Sequence, residues 1–207
     1  MIAIITGDII GSGNHDSYEW LVMLKKYLAT IGEVSNDWEV YRGDEFQLKL
    51  ASPKEALFQA IYIKALLKTI KGLDARMAVG IGSETFQGES VSESNGTAYQ
   101  RSGRTFEHLK VDKLNLSVNT GQAKFDDTIN LMLRLALDIM DAWSTVSAEI
   151  VVLALQNPEM SQQEMAERLG IQQSAVSQRL KRARLDLILQ LIEYFKDKKD
   201  KVSRSAG

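Results

Sequence analysis

Over residues 1–82 the hydrophobic period switches between two values in a fixed order, and that order limits the fold more than any other feature. Residues 2–7 form an apolar run rich in isoleucine, the mark of a buried strand. Asp16 then reads as a helix N-cap with Glu19 three residues on, and Leu21, Leu24, Leu28 and Ile31 follow at helical spacing before Gly32. Residues 38–42 and 46–51 read as a hairpin around Gly43-Asp44, with Phe46, Leu48 and Leu50 alternating with polar neighbours. Ser52-Pro53-Lys54-Glu55 opens a second helix whose inner face is Ala60, Ile63, Leu67 and Ile70, closed by Gly72. Residues 76–82 are a further strand. Met77, Val79 and Ile81 share one face, and Ala78, Gly80 and Gly82 leave the other open to close approach.

Strand, helix, strand, strand, helix, strand is the order of the split β-α-β unit, so the expected class is α/β (α+β) with a ferredoxin-like first domain. Residues 83–96 read as a mobile polar loop, about 96–110 as a helix and 113–118 as an edge strand. Residues 127–143 form a long helix. Ile129, Met132, Leu133, Ala136, Met140 and Trp143 make one stripe, and Leu131, Leu135 and Leu137 extend the apolar surface sideways. A helix this apolar is covered on more than one side, between domains or against a second subunit, most simply across a two-fold homodimer axis, so charges at Leu133 and Met140 are expected to give monomers. The expected domains are 1–120, a connecting or dimerisation helix at 121–143, an all-α domain at 144–195, and a disordered tail at 196–207, charged and then small.

Two segments carry chemistry in the first domain. Asp8 follows the first strand, and Asp44-Glu45 sits at the hairpin turn. If the first strand lies beside the hairpin, the three acids meet at one sheet edge. Clustered carboxylates repel, which calls for a cation, and hard oxygen ligands suit Mg²⁺ completed by phosphate oxygens. The plainer reading makes Gly43-Asp44 turn chemistry and Asp8 a strand-end cap. His15 and His108 stand apart from any cluster and read as surface or capping residues.

The sharpest local pattern lies at 161–184. Ser161-Gln162-Gln163-Glu164 is a capping box, Met165, Ala166 and Leu169 follow at helical spacing, and Gly170 permits a tight turn plugged by Ile171. A second helix begins near Gln173. Val176, Leu180 and Ala183 point inward, while Gln173, Ser174, Ser177, Gln178 and Lys181 point outward, flanked by Arg179, Arg182 and Arg184. No acid interrupts 171–185. This is the pattern of a helix-turn-helix that enters the major groove of double-stranded DNA, where Gln reads base edges and Lys and Arg hold phosphates. The charge distribution agrees in sign. Residues 1–143 hold 15 Lys+Arg against 19 Asp+Glu, and 144–207 hold 10 against 8. With no cysteine, thiolate metal sites are excluded and a reducing compartment fits. Asp8 interrupts the first apolar run and no membrane-length segment follows, so a cytoplasmic protein without membrane contact is expected.

Ile4 to Ser12, Arg42 to Gln47, Met77 to Gly82 and the terminal helix-turn-helix together resemble the SatD family of bacterial proteins, described as regulators. Residues 1–120 alone also resemble the nucleotide-cyclase palm of diguanylate cyclases. There Arg42-Gly43-Asp44-Glu45-Phe46 is similar to the GGDEF hairpin and Asp8 to the metal-binding Asp of the first strand. That likeness implies Mg²⁺ at Asp8 and Glu45, which the clustered acids extend to Asp44, holding a nucleotide or another phosphorylated ligand. Ile9, Gly11, Ser12 and Arg42 would lie beside the phosphates, and Arg101 and Arg104 stand where cyclases place basic residues for them. Arg42 replaces the first glycine of that hairpin, and Asp16 stands where cyclases place the guanine-reading Asn. The expectation is a DNA-binding transcriptional regulator with a ligand-binding palm. The alternatives are a nucleotidyl cyclase or transferase using two metals at Asp8, Asp44 and Glu45, or a palm that serves only dimerisation. No residue is assigned a catalytic role.

Overall fold

The computed structural model describes residues 1–205. The chain is a mixed α/β protein. Its strands are β1 (Ile2–Ile10), β2 (Trp38–Tyr41), β3 (Glu45–Leu50), β4 (Asp74–Gly82) and β5 (Leu116–Asn119). Its helices are α1 (Ser17–Leu28), α2 (Ala56–Lys68), α3 (Thr97–Asp112), α4 (Ala123–Met140), α5 (Thr145–Gln156), α6 (Gln162–Leu169), α7 (Gln173–Ala183) and α8 (Leu185–Ser205). The strands form one sheet in the order β2-β3-β1-β4-β5. β1 is antiparallel to both neighbours, and β5 joins the outer edge of β4 in parallel.

The isoleucine run makes β1 the central strand, buried on both faces. Ala3, Ile5 and Ile9 join the main core with α1 and α2, while Thr6 on the other face donates to the Ser102 hydroxyl of α3 at 3.0 Å. The open face of β4 is filled by the protein itself. A Cβ at Gly80 would lie 2.2 Å from the Ala98 carbonyl and 2.3 Å from the Ser102 nitrogen, so the glycine lets α3 pack on the strand backbone.

α2 departs most from the sequence reading. The spacing gives one inner face, yet ten of its thirteen residues are buried. One side packs on the sheet and the other against the C-terminal helices, so a single hydrophobic cluster runs from Ala3 to Phe195. Lys64 of α2 is fully buried, its Nζ 2.6 Å from Asp74 Oδ1 and 2.6 Å from Asp141 Oδ1. Lys68 reaches Asp74 Oδ2 at 3.2 Å, and the Asn115 amide donates to Asp141 Oδ2 at 3.0 Å. These bonds tie α2, β4 and the end of α4 together.

The long helix begins and ends earlier than its apolar stripe suggests, at Ala123 and Met140. Trp143 therefore lies in the corner before α5, and its indole N–H donates to the Ala183 carbonyl at the end of α7, 2.9 Å away. Leu133 and Met140, expected at a dimer contact, are wholly buried within the chain, because this stripe faces the core. On the opposite side of β5, Asn130 of α4 accepts from Val118 N at 2.9 Å and donates to Val118 O at 2.8 Å. The 83–96 loop is tied down: Val91 is buried and its N–H donates to Ser35 O at 2.6 Å, and Ser92 Oγ donates to Glu39 at 2.6 Å. α8 continues to Ser205 through most of the segment expected to lack structure, since its lysine-rich sequence tolerates helix extension. Ala206 and Gly207, the end of that expected tail, lie outside the described residues.

Candidate functional site

Asp8 is not at a strand end. β1 continues past it to Ile10, and Asp8 stands opposite Glu45 of β3 on one side and Arg76 of β4 on the other. The sheet order therefore does bring Asp8 beside the hairpin. Ile9 N–H donates to the Asp44 carbonyl at 3.0 Å, and Ser12 Oγ donates to Asp44 Oδ2 at 2.8 Å. Gly11 takes a left-handed φ of 85°, which turns the chain so that Ser12 meets Asp44. Arg42 approaches Glu45 at 3.9 Å, but its side chain is 80% exposed, so this contact contributes little.

Two cations that the sequence reading missed face Asp8. Arg76 lies 3.6 Å and Lys110 of α3 3.7 Å from Asp8 Oδ2. Burial pushes the Asp8 carboxyl above its usual range, and Arg76 and then Lys110 oppose that rise. Its other oxygen, Oδ1, is buried without a hydrogen-bond partner, as is Gln47 Oε1 nearby. The Gln47 orientation has a cause. Ser102 spends its one hydroxyl proton on the Tyr99 carbonyl and Thr6 spends its own on Ser102, so Thr6 Oγ1 must accept. Gln47 turns its amide nitrogen to that oxygen at 3.5 Å and leaves its carbonyl oxygen unpaired. Arg76 is the charged residue at the start of the 76–82 strand, but nothing short of the strand order puts it opposite Asp8.

Among the described residues no three His, Asp or Glu side chains converge to hold a metal ion. What the geometry offers a cation is one unpartnered carboxylate oxygen at Asp8, with Asp44 and Glu45 next to it. Mg²⁺ needs only one or two carboxylates when phosphates complete its shell, so the residues fit that mode and not an all-protein cage.

Arg101 and Arg104 lie elsewhere. Arg101 Nη1 donates to the Ile81 carbonyl and, at 2.9 Å, to the Thr120 carbonyl, holding the ends of β4 and β5 together. Ile81 stands opposite Ala3, five residues along β4 from Arg76, which is roughly 17 Å from the Asp8 pairing. Arg104 lines a separate cavity of about 340 Å³ there with Thr97, Gln100, Arg101 and Asn119. The basic residues beside Asp8 are Arg76 and Lys110 instead.

The second candidate surface is α7. The Ser161 hydroxyl accepts from Glu164 N–H, and the Glu164 carboxylate accepts from Ser161 N–H at 2.8 Å, closing the capping box of α6. Gly170 ends α6 at φ 64°, a left-handed conformation in which a glycine costs least. Val176 and Ala183 are buried, and Leu180 is half-buried against the core. Gln173, Ser174, Ser177, Gln178, Lys181 and Arg182 are exposed, and Arg179 is half-buried. Gln173 donates to Gln162 at 2.8 Å. Among the described residues no carboxylate forms an ion pair with Arg179, Lys181, Arg182 or Arg184. Trp143 fixes the far end of this helix through the Ala183 carbonyl.

No helix among the described residues is long and apolar enough to cross a membrane. No curated protein and no solved structure matches the chain. The model of the SatD family matches residues 1–199, nearly the whole length, so the chain belongs to the SatD family.

Proposed function

We propose that this protein is a DNA-binding transcriptional regulator, a nucleotide-cyclase-like palm followed by a helix-turn-helix, and that the palm takes a nucleotide or another phosphorylated ligand. The observation that carries the DNA reading is the outer face of α7. It presents Gln173, Ser174, Ser177, Gln178, Lys181 and Arg182 to solvent, with Arg179 beside them and no acid pairing its cations among the described residues. Unpaired cations on a helix held rigidly from behind give up little to bind phosphate, and their glutamine neighbours are of the type that reads adenine edges. At the palm, Lys110 and Arg76 offer phosphate contacts beside Asp8, while Asp8 Oδ1 with Asp44 or Glu45 would hold Mg²⁺ against a ligand's phosphates. Ile9, Ser12 and Arg42 line the same turn. Two-metal nucleotidyl transfer has less support, because among the described residues no three acidic side chains converge to hold metal ions.

The test is fluorescence anisotropy of a labelled mixed-sequence duplex, titrated at several salt concentrations. Affinity should fall steeply with salt, and Lys181→Ala with Arg182→Ala should weaken it and lower the salt slope by about 2, roughly 0.9 for each lost phosphate contact. A double variant that binds as tightly as the parent, with an unchanged slope, rejects α7 as the DNA surface.

A further inference from the structure

α4 buries one stripe in the core and leaves another uncovered. Leu131 is 61% and Leu135 66% exposed, and alongside on α8 Leu187 is 44% exposed. α4 and α8 lie side by side, with Phe125 and Phe195 rings 6.0 Å apart near one end. Between the two helices runs a groove of about 400 Å³ lined by Met132, Leu135, Ile139, Leu187, Leu191 and Tyr194. Isolated exposed leucines need no explanation, but a contiguous apolar face with a groove does.

We propose that this face is covered by a second copy of the same chain, packed about a two-fold axis near Leu135. Three features of this face point to a copy and not to an unrelated partner. The patch carries both halves of a fit, protruding leucines and a recess of matching chemistry, which is what an isologous contact requires. Its rim carries opposite charges one helical turn apart, Arg134 and Asp138, both exposed. An antiparallel crossing of the two α4 helices at Leu135 sets Leu131 over the other copy's Ile139 and brings each Arg134 toward the other copy's Asp138. Finally, the size suffices. An 18-residue helix is about 27 Å long, and two helices side by side present a face that would bury roughly 1,000 Å² in total across the contact. That is at the lower limit for a specific interface, so the dimer should be reversible and not obligate.

Sedimentation velocity of the full chain, from low micromolar to sub-millimolar concentration, tests this. The parent should shift from monomer to dimer over that range. Leu131→Asp with Leu135→Asp alters only exposed positions, so the fold should survive with an unchanged circular dichroism spectrum and the dimer should be lost. Arg134→Glu or Asp138→Arg alone should weaken dimerisation several-fold by setting like charges together, and the two combined should restore it. That rescue is specific to this two-fold geometry. A parent that stays monomeric throughout, or a Leu131→Asp, Leu135→Asp variant that still dimerises, overturns the proposal. So does a charge-swapped double variant no better than its singles.

Discussion

Replacing Lys64 with methionine tests whether the contact between the sheet and the C-terminal helices rests on charge as well as on apolar packing. The Lys64 side chain is fully buried, and its ammonium lies 2.6 Å from each of Asp74 and Asp141. Methionine matches the stem in length and fills irregular space, so the change removes the charge with little loss of volume. Stranding a buried partner typically costs about 3–5 kcal/mol. Here the stranding is partial. Asp74 keeps Lys68 at 3.2 Å and the Ala75 N–H at 2.7 Å, and Asp141, 39% exposed, keeps the Asn115 amide and access to water. The expected loss is therefore near the lower end, about 3 kcal/mol. For a chain of this length that corresponds to a Tm lowered by roughly 6–12 °C. Asp141→Asn leaves Lys64 its buried partner Asp74, and should cost less than about 1 kcal/mol. Because the penalty comes from a stranded carboxylate, Asp74→Asn added to Lys64→Met should cost less than the sum of the two singles. The measurements are urea unfolding at neutral pH followed by far-ultraviolet circular dichroism, with Tm by calorimetry. If Lys64→Met is no more destabilising than Asp141→Asn, or the double variant is strictly additive, the network contributes no more than surface pairs do.

Two further variants probe the site and the helix behind it. The Asp8 carboxyl is raised chiefly by burial, so the folded state holds this proton more tightly than the unfolded chain; the stability it confers is present at low pH and is lost as pH rises from the ordinary carboxylate range through the raised value. Asp8→Asn should flatten that part of the Tm–pH profile and raise Tm at neutral pH. It should also abolish any Tm increase that a nucleoside triphosphate with Mg²⁺ gives the parent. A lower Tm at neutral pH would mean that Arg76 and Lys110 outweigh burial, and a ligand shift equal to the parent's would place the ligand elsewhere. Trp143→Phe leaves the Ala183 carbonyl without its donor and should cost about 1–3 kcal/mol in urea unfolding, whereas a change below about 0.5 kcal/mol would show that the bond is replaced by water.

Local signals in the sequence translated into structure wherever neighbours in the chain decide the outcome. The capping box at Ser161 and Glu164, the left-handed Gly170 and the alternation of Phe46, Leu48 and Leu50 all depend on residues within a few positions. That the strand carrying Asp8 lies beside the Asp44-Glu45 hairpin was also legible, because the strand order of residues 1–82 follows from the spacing. What could not be read depends on distant partners. Arg76 and Lys110 meet Asp8 only because β4 and α3 lie beside β1, and Arg101 is drawn away because the ends of β4 and β5 leave carbonyls for it to bond. α2 shows one apolar stripe at helical spacing yet is covered twice, since the helices that bury its second side begin about ninety residues later. Leu133 and Met140 suit a subunit contact by type, and only the packing of α4 on β5 and α8 assigns them to the interior and leaves Leu131 and Leu135 on the surface.

The outer side of β5 has a consequence of a different kind. A strand with one neighbour presents free N–H and C=O groups, and such a rim is a template on which a foreign strand can zip. Here α4 leans over that rim and answers it with side chains. The Asn130 amide gives Val118 both a donor and an acceptor, as another strand's backbone would, and Asp126 receives the Thr120 and Gly121 N–H groups. The helix thus impersonates a sixth strand along the last residues of β5. Growth of the sheet into fibrils or swapped ribbons is blocked on this flank without a proline or a bulge, and association there is left to the helical surfaces.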